Sequence, residues 1–116
     1  MAIPDLTKLS AVRQLDAYCD THVPQAMRDR MRLEHTRRGN DLALVEREAP
    51  WRADTGEEWS KRPVARFRWD PATATWSLMW ANRHDKWIAY PDIPPVGDFA
   101  LALREVEADP HGCFWG

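Results

Sequence analysis

Apolar and polar residues alternate with a period of two from Met31 to Arg38 and again from Asp41 to Glu48, and Gly39-Asn40 stands between the runs. A two-residue Gly/Asn connection between alternating runs signals a tight hairpin. It pairs Arg38 with Asp41, and therefore Thr36 with Ala43, His35 with Leu44 and Leu33 with Glu46. Leu33, His35, Leu42 and Leu44 then share one face, the better core face. Arg32, Glu34, Thr36, Ala43, Val45 and Arg47 share the other. A slip of one residue reverses every side chain, so this turn decides which face is buried.

The same alternation predicts a second hairpin, Pro63 to Asp70 and Thr75 to Asn82. Asp70-Pro71 opens its turn with Asp at the first position and Pro at the second. Pairing Asp70 with Thr75 sets Trp69 opposite Trp76, Phe67 opposite Leu78 and Ala65 opposite Trp80, all six on one face. Cross-strand aromatic pairs of this kind contribute about 0.2–1 kcal/mol each. Arg68 and Ser77, Arg66 and Met79, and Val64 and Ala81 fall on the opposite face. After the turn Asn82-Arg83-His84-Asp85, Lys86 to Tyr90 reads as a short fifth strand, broken by Pro91, Pro94 and Pro95.

Helical spacing frames these strands. In residues 5–22, Leu6, Leu9, Val12, Leu15 or Ala17, and Cys19 recur at that spacing, with Asp5 or Thr7 as cap. Pro24 ends that helix and suits the first turn of a short second one, to about Arg30. Gly97 or Asp98 opens a last helix with Phe99, Leu101, Leu103 and Val106 as its apolar positions, closed by Asp109-Pro110. Ala49 to Arg62 has no period and reads as a long surface loop, its ends pinned by Trp51 and Trp59. The predicted architecture is α+β: N-terminal helices, an antiparallel sheet of four or five strands, and a C-terminal helix packed on one sheet face, in a single domain spanning 1–116.

Composition sharpens this picture at two points. Seven of the 116 residues are tryptophan, and five of them lie within residues 59–87. Each indole buries about 150–250 Å² and carries one N–H that needs a partner. Such density means an aromatic core under the sheet or an aromatic surface for a ligand. The formal net charge of −2 argues against a general nucleic-acid binder. Charge is nevertheless segregated. Residues 60–87 hold Lys61, Arg62, Arg66, Arg68, Arg83 and Lys86 against Asp70 and Asp85, whereas 88–116 hold Arg104 against Asp92, Asp98, Glu105, Glu107 and Asp109. No apolar run approaches the roughly 18 residues of a membrane span, and the N-terminus lacks a signal-peptide pattern. A cytoplasmic protein with no membrane partner is expected, with Cys19 and Cys113 as free thiols.

The segments Ala65-Arg66-Phe67-Arg68-Trp69, Thr75-Trp76-Ser77-Leu78-Met79-Trp80, Lys86-Trp87-Ile88-Ala89-Tyr90 and Asp109-Pro110-His111-Gly112-Cys113-Phe114-Trp115-Gly116 resemble a bacterial family of domains of unknown function, the one numbered three thousand and twenty-four. The resemblance covers about Arg13 to Gly116 and is strongest after Val64. The closing Gly-Cys-Phe-Trp-Gly tail is its most specific part, and it implies that the chain ends as members do. Ile88 departs from the pattern, which often has His there. The resemblance implies a shape and a bacterial source, not a reaction.

Catalytic templates are absent: there is no phosphate-binding Gly loop, no His-Glu-x-x-His and no Gly-x-Ser-x-Gly. Cys113 can be paired with His111 or His84 as a nucleophile, but a Cys between Gly and Phe is ordinarily a packing residue. His35, on the apolar strand face, reads as a hydrogen-bonded core histidine. Arg83-His84-Asp85-Lys86, between Trp80 and Trp87, concentrates an acid/base pair and two cations. A solvated turn in which Asp85 caps local N–H groups explains the same residues. Arg66 and Arg68, with Arg32 and Arg47, form a cationic stripe on the outer face, where Arg planes bind phosphates and stack on bases. Acids such as Glu34 can neutralise that stripe. Phe114 and Trp115 are expected to pack back onto the sheet rather than serve a partner.

The ligand-binding candidates are therefore Arg66, Arg68, Arg83, His84, Asp85 and Trp87. No cofactor and no metal is implied. The reading is a non-enzymatic binding or accessory domain for a protein or a nucleic acid, with a homodimer open. The alternative is an RNA-directed toxin-like nuclease, because the element order looks loosely like the RelE and ParE toxins; those are typically basic, and this chain is not.

Overall fold

The computed structural model of the chain describes residues 2–50, 56 and 58–115. Helix α1 spans Asp5–His22 and a single 3-10 turn spans Gln25–Met27. Strands β1 (Met31–Arg38), β2 (Asp41–Glu48), β3 (Ser60–Asp70), β4 (Thr75–Ala81) and β5 (Trp87–Ala89) follow, and helix α2 (Phe99–Ala108) comes last. The strands form one antiparallel sheet in the order β1-β2-β3-β4-β5, a meander in which every neighbour in sequence is a neighbour in space. The architecture is α+β, as the residue pattern predicts.

Both predicted registers are present. Arg38 pairs with Asp41 across Gly39-Asn40, with Gly39 at φ +59°, a backbone that a side chain strains. Trp69 pairs with Trp76 and Asp70 with Thr75. Asp70 fixes that turn twice: its carboxylate accepts from Ala72 N at 2.9 Å and its carbonyl from Ala74 N at 2.8 Å. Between β2 and β3 the ladder slips at Leu44/Val45, so that Leu44 faces Ala65 and Val45 faces Pro63. This bulge lets Val64 and Ala65 both be buried.

Several expectations are corrected. The short second helix is only one 3-10 turn, because Pro24 caps it and Arg28 already closes it onto Gln25. β3 begins at Ser60, so the surface loop is shorter than 49–62; Trp51 lies outside the described residues. α1 has no side-chain cap, since Pro4 holds the cap position. Of the stripe read from spacing, Leu15 is buried and Val12 and Cys19 pack against the core, whereas Leu6 and Leu9 are exposed and Ala11 is buried instead. In α2 the buried set is Phe99, Ala102 and Val106, and Leu101 is exposed. Of Gly97 and Asp98, it is Asp98 that caps α2, accepting from Ala100 N at 3.0 Å.

The core lies under one face of the sheet. Phe99 meets Phe67 at 4.7 Å and Trp76 at 5.1 Å between ring centroids, and Trp76 meets Trp69 edge-on at 5.2 Å. On the α1 side, His35 Nε2 pairs with Asp16 at 2.6 Å, which is the hydrogen-bonded histidine that its position implied. The tail closes the core. Asp109 takes a left-handed conformation (φ 41°), and its carboxylate accepts from Phe114 N at 3.1 Å and Trp115 N at 2.9 Å. Phe114 is fully buried, Trp115 Nε1 donates to the Val106 carbonyl at 3.1 Å, and its ring stacks on His22 at 4.3 Å. Among the described residues no helix is long and apolar enough to cross a membrane.

Candidate functional site

Two helices on one face leave the other face of the sheet uncovered by any described element. Alternation puts Arg66 and Arg68 there, because Phe67 and Trp69 point into the core. The register then gives the rows of this outer face. Arg38, Asp41, Arg68 and Ser77 form one row, and Thr36, Ala43, Arg66, Met79 and Ala89 form the next. Beyond the bulge come Glu34, Val45 and Pro63, then Arg32, Arg47 and Lys61. The centre is small and largely apolar, and the charges lie toward the two ends.

Asp41 organises one end. Arg68 Nε donates to Asp41 Oδ1 at 3.0 Å, Arg66 Nε donates to Oδ2 at 3.0 Å, and Arg66 Nη2 also meets Oδ2. Burial alone pushes the Asp41 carboxyl up, but the hydrogen bonds and charges of Arg68 and Arg66 outweigh it and hold the group below the usual carboxylate range. The same contact raises Arg68. Arg66 also lies over Trp87, with Cζ 5.8 Å from the ring centroid. Together they surround an open cavity of about 220 Å³. Ala43 and Val45 form its floor, and Thr36, Arg38, Asp41, Arg66 and Trp87 form its walls. At the other end Arg32 stacks on Trp59, Cζ to centroid 4.5 Å, and Arg47 pairs with Glu34 at 3.6 Å.

Three of the six residues singled out from the sequence thus gather here: Arg66, Arg68 and Trp87. Arg83, His84 and Asp85 do not. They are exposed in the β4–β5 turn, and among the described residues no hydrogen bond joins His84 to Asp85. The turn is held by Asn82, whose side-chain oxygen accepts from His84 N at 2.8 Å and Lys86 N at 3.1 Å. Asp85 therefore does not cap it; its backbone sits at φ +58° and its N–H donates to the Asn82 carbonyl. Sequence reasoning missed Asp41, Thr36 and Arg38 as cavity residues. The alternation placed Thr36 on this face, but the partner of Asp41 across β2–β3 is set by the bulge.

The thiols are packing groups. Cys113 shares a cavity of about 280 Å³ with His111, Asp92, Trp80 and Tyr90, and His111 Nε2 meets the Asp92 carboxylate. Burial pushes the Cys113 thiol up, and Asp109, Asp92 and Glu105 add to it; a nucleophile needs the opposite. The Cys19 thiol is pushed up to about 12, first by burial and then by Asp16, Asp20 and Glu34. Among the described residues no three His, Cys, Asp or Glu side chains gather to hold a metal ion.

The two tyrosines are the whole complement of the chain. Each hydroxyl is raised, first by burial and then by a carboxylate it donates to: Glu107 for Tyr18 and Glu105, at 2.8 Å, for Tyr90. The folded state keeps these protons where the unfolded chain loses them near pH 10, so this stabilisation is complete below about pH 10 and falls as pH rises above it. Ultraviolet difference titration of the native protein should show no tyrosinate step near pH 10, whereas in urea both should ionise there. A native step with an ordinary midpoint would contradict these contacts.

No curated protein and no solved structure matches this chain. One family model does, over residues 3–116, and with it the chain belongs to the family described as Domain of unknown function (DUF3024).

Proposed function

We propose that the protein is a non-enzymatic binding or accessory domain and that its ligand surface is the open outer face of the sheet. The carrying observation is that both helices and the tail pack on the other face, leaving a five-stranded surface with Arg66 over Trp87 and Arg32 over Trp59 at its two ends. An apolar centre of Ala43, Val45 and Met79 with a charged rim matches the anatomy of a recognition surface, in which Arg, Trp and Met are enriched. The upward shift of both thiols speaks against Cys113 or Cys19 as a nucleophile.

The test works whatever the ligand is. A photo-crosslinking amino acid is placed at Ala89 on the outer face, or at exposed Leu9 on α1, and the protein is irradiated in cells. Adducts are expected from Ala89 and not from Leu9. Adducts from Leu9 alone would overturn the assignment of the face.

A further inference from the structure

We infer that the cavity between Arg66 and Trp87 accepts one nucleoside phosphate unit of a single-stranded nucleic acid, at the place where Asp41 now serves as the internal anion of the two arginines. The inference rests on the outer-face reading above and names its ligand. A nucleotide has two chemically unlike halves, and the cavity has two unlike walls. The flat base fits the apolar floor of Ala43 and Val45 against the indole of Trp87, with Thr36 as a hydrogen-bonding group. The phosphate fits the guanidinium groups of Arg38 and Arg66, which line the cavity, and of Arg68, which stands outside the lining but shares Asp41 with Arg66; their planar forks match oxyanion geometry. Arg66 and Arg68 already converge on both oxygens of one carboxylate, so the arrangement that a phosphate needs is built before any ligand arrives.

Charge and extent favour a strand over a free nucleotide. The outer face carries Arg32, Arg38, Arg47, Lys61, Arg66 and Arg68 against Glu34, Asp41 and Asp70, a basic surface on a chain of net charge −2. Along β1 the two arginine clusters are six residues apart, roughly 20 Å in a strand, so one ligand must be extended to meet both. The far cluster repeats the pairing of arginine with indole, and among the described residues Arg47 Nε is buried there without a hydrogen-bond partner. A duplex is excluded by its own stacking, since its bases cannot reach Trp87. A second copy of this chain would set basic face against basic face.

Asp41 then limits affinity, because the phosphate competes with its carboxylate for the same donors. The test is fluorescence anisotropy with labelled single-stranded RNA and DNA oligonucleotides at low and moderate salt. Wild type should bind weakly at low salt and lose binding steeply as salt rises. Asp41→Asn, which keeps the shape and removes the charge, should bind about tenfold more tightly. Trp87→Leu should weaken binding about tenfold, with the melting temperature monitored for both variants. A free mononucleotide should compete far less well than the oligonucleotide. Equal competition would overturn the strand as source. No binding by either wild type or Asp41→Asn at low salt would overturn the nucleic-acid inference outright. If outer-face crosslinks then lead to a protein, the binding-domain reading stands without it; crosslinks from Leu9 alone would remove the reading itself.

Discussion

Replacing Trp76 with alanine should cost about 3–5 kcal/mol of folding stability, roughly a fifth or more of what a domain of this size commonly has. Trp76 is 1% exposed and stands where three parts of the core meet. Its ring contacts Trp69 from the neighbouring strand and Phe99 from α2. Its backbone exchanges two hydrogen bonds with Val96, at 2.7 and 2.9 Å, which dock the proline-rich segment leading into α2. Truncation leaves a cavity between two rings that are each pinned elsewhere, so little collapse can refill it. Urea unfolding followed by circular dichroism gives the number. A loss below about 1 kcal/mol would mean that α2 is held by something other than this aromatic cluster. Trp80→Ala should cost less, because Trp80 is only half-buried at the edge of the core.

Ending the chain after Gly112 should destabilise it by a comparable amount, about 3–5 kcal/mol, and expose apolar surface to a dye such as ANS. The truncation removes Phe114, which is fully buried against Tyr90 with centroids 5.2 Å apart. It strips Asp109 of the two N–H groups that its carboxylate accepts, and Arg62 of the Phe114 carbonyl it donates to at 3.0 Å. Asp109→Ala isolates the latch from the core residue. It should cost about 1–2 kcal/mol, since the left-handed backbone at 109 also loses the residue type that tolerates it. An unchanged melting temperature in the truncated protein would show that the tail contributes nothing to folding.

The hairpins were legible in the sequence because their determinants are local. Gly39-Asn40 and Asp70-Pro71 each fix a turn, and period-two alternation carries the register outward along both strands. The start of α2 at Gly97 or Asp98 was legible for the same reason. What joins the two hairpins was not. Asp41 meets Arg66 and Arg68 only because β2 pairs with β3 across a bulge, and neither alternation nor the connecting loop fixes that offset. The buried face of α1 was legible from Val12 to Cys19 but not in the first turns, because spacing admits more than one stripe on a helix with scattered apolar residues. The choice between them is made by what the helix packs on: Asp16 by His35, and Tyr18 by Glu107 and Trp115. The candidate site was half legible. Arg66 and Arg68 could be assigned to a face and Trp87 named as a candidate beside them, whereas the carboxylate that gathers the arginines could not.

The meander has a consequence for how the molecule assembles. Every strand pairs with the next in the chain, so no ladder closes over more than the eleven residues between β2 and β3, and the sheet needs no distant segment to form. The helical layer is different. Tyr18 meets Glu107 across 89 positions, and His22 stacks on Trp115. On the ribosome, five strands can therefore pair while their apolar side is still open, and α1 waits beside it for α2 and residues 109–115 to emerge. The nascent domain passes through a stage with a finished sheet and an unfinished core, the stage at which a chaperone has most to hold and a protease most to cut.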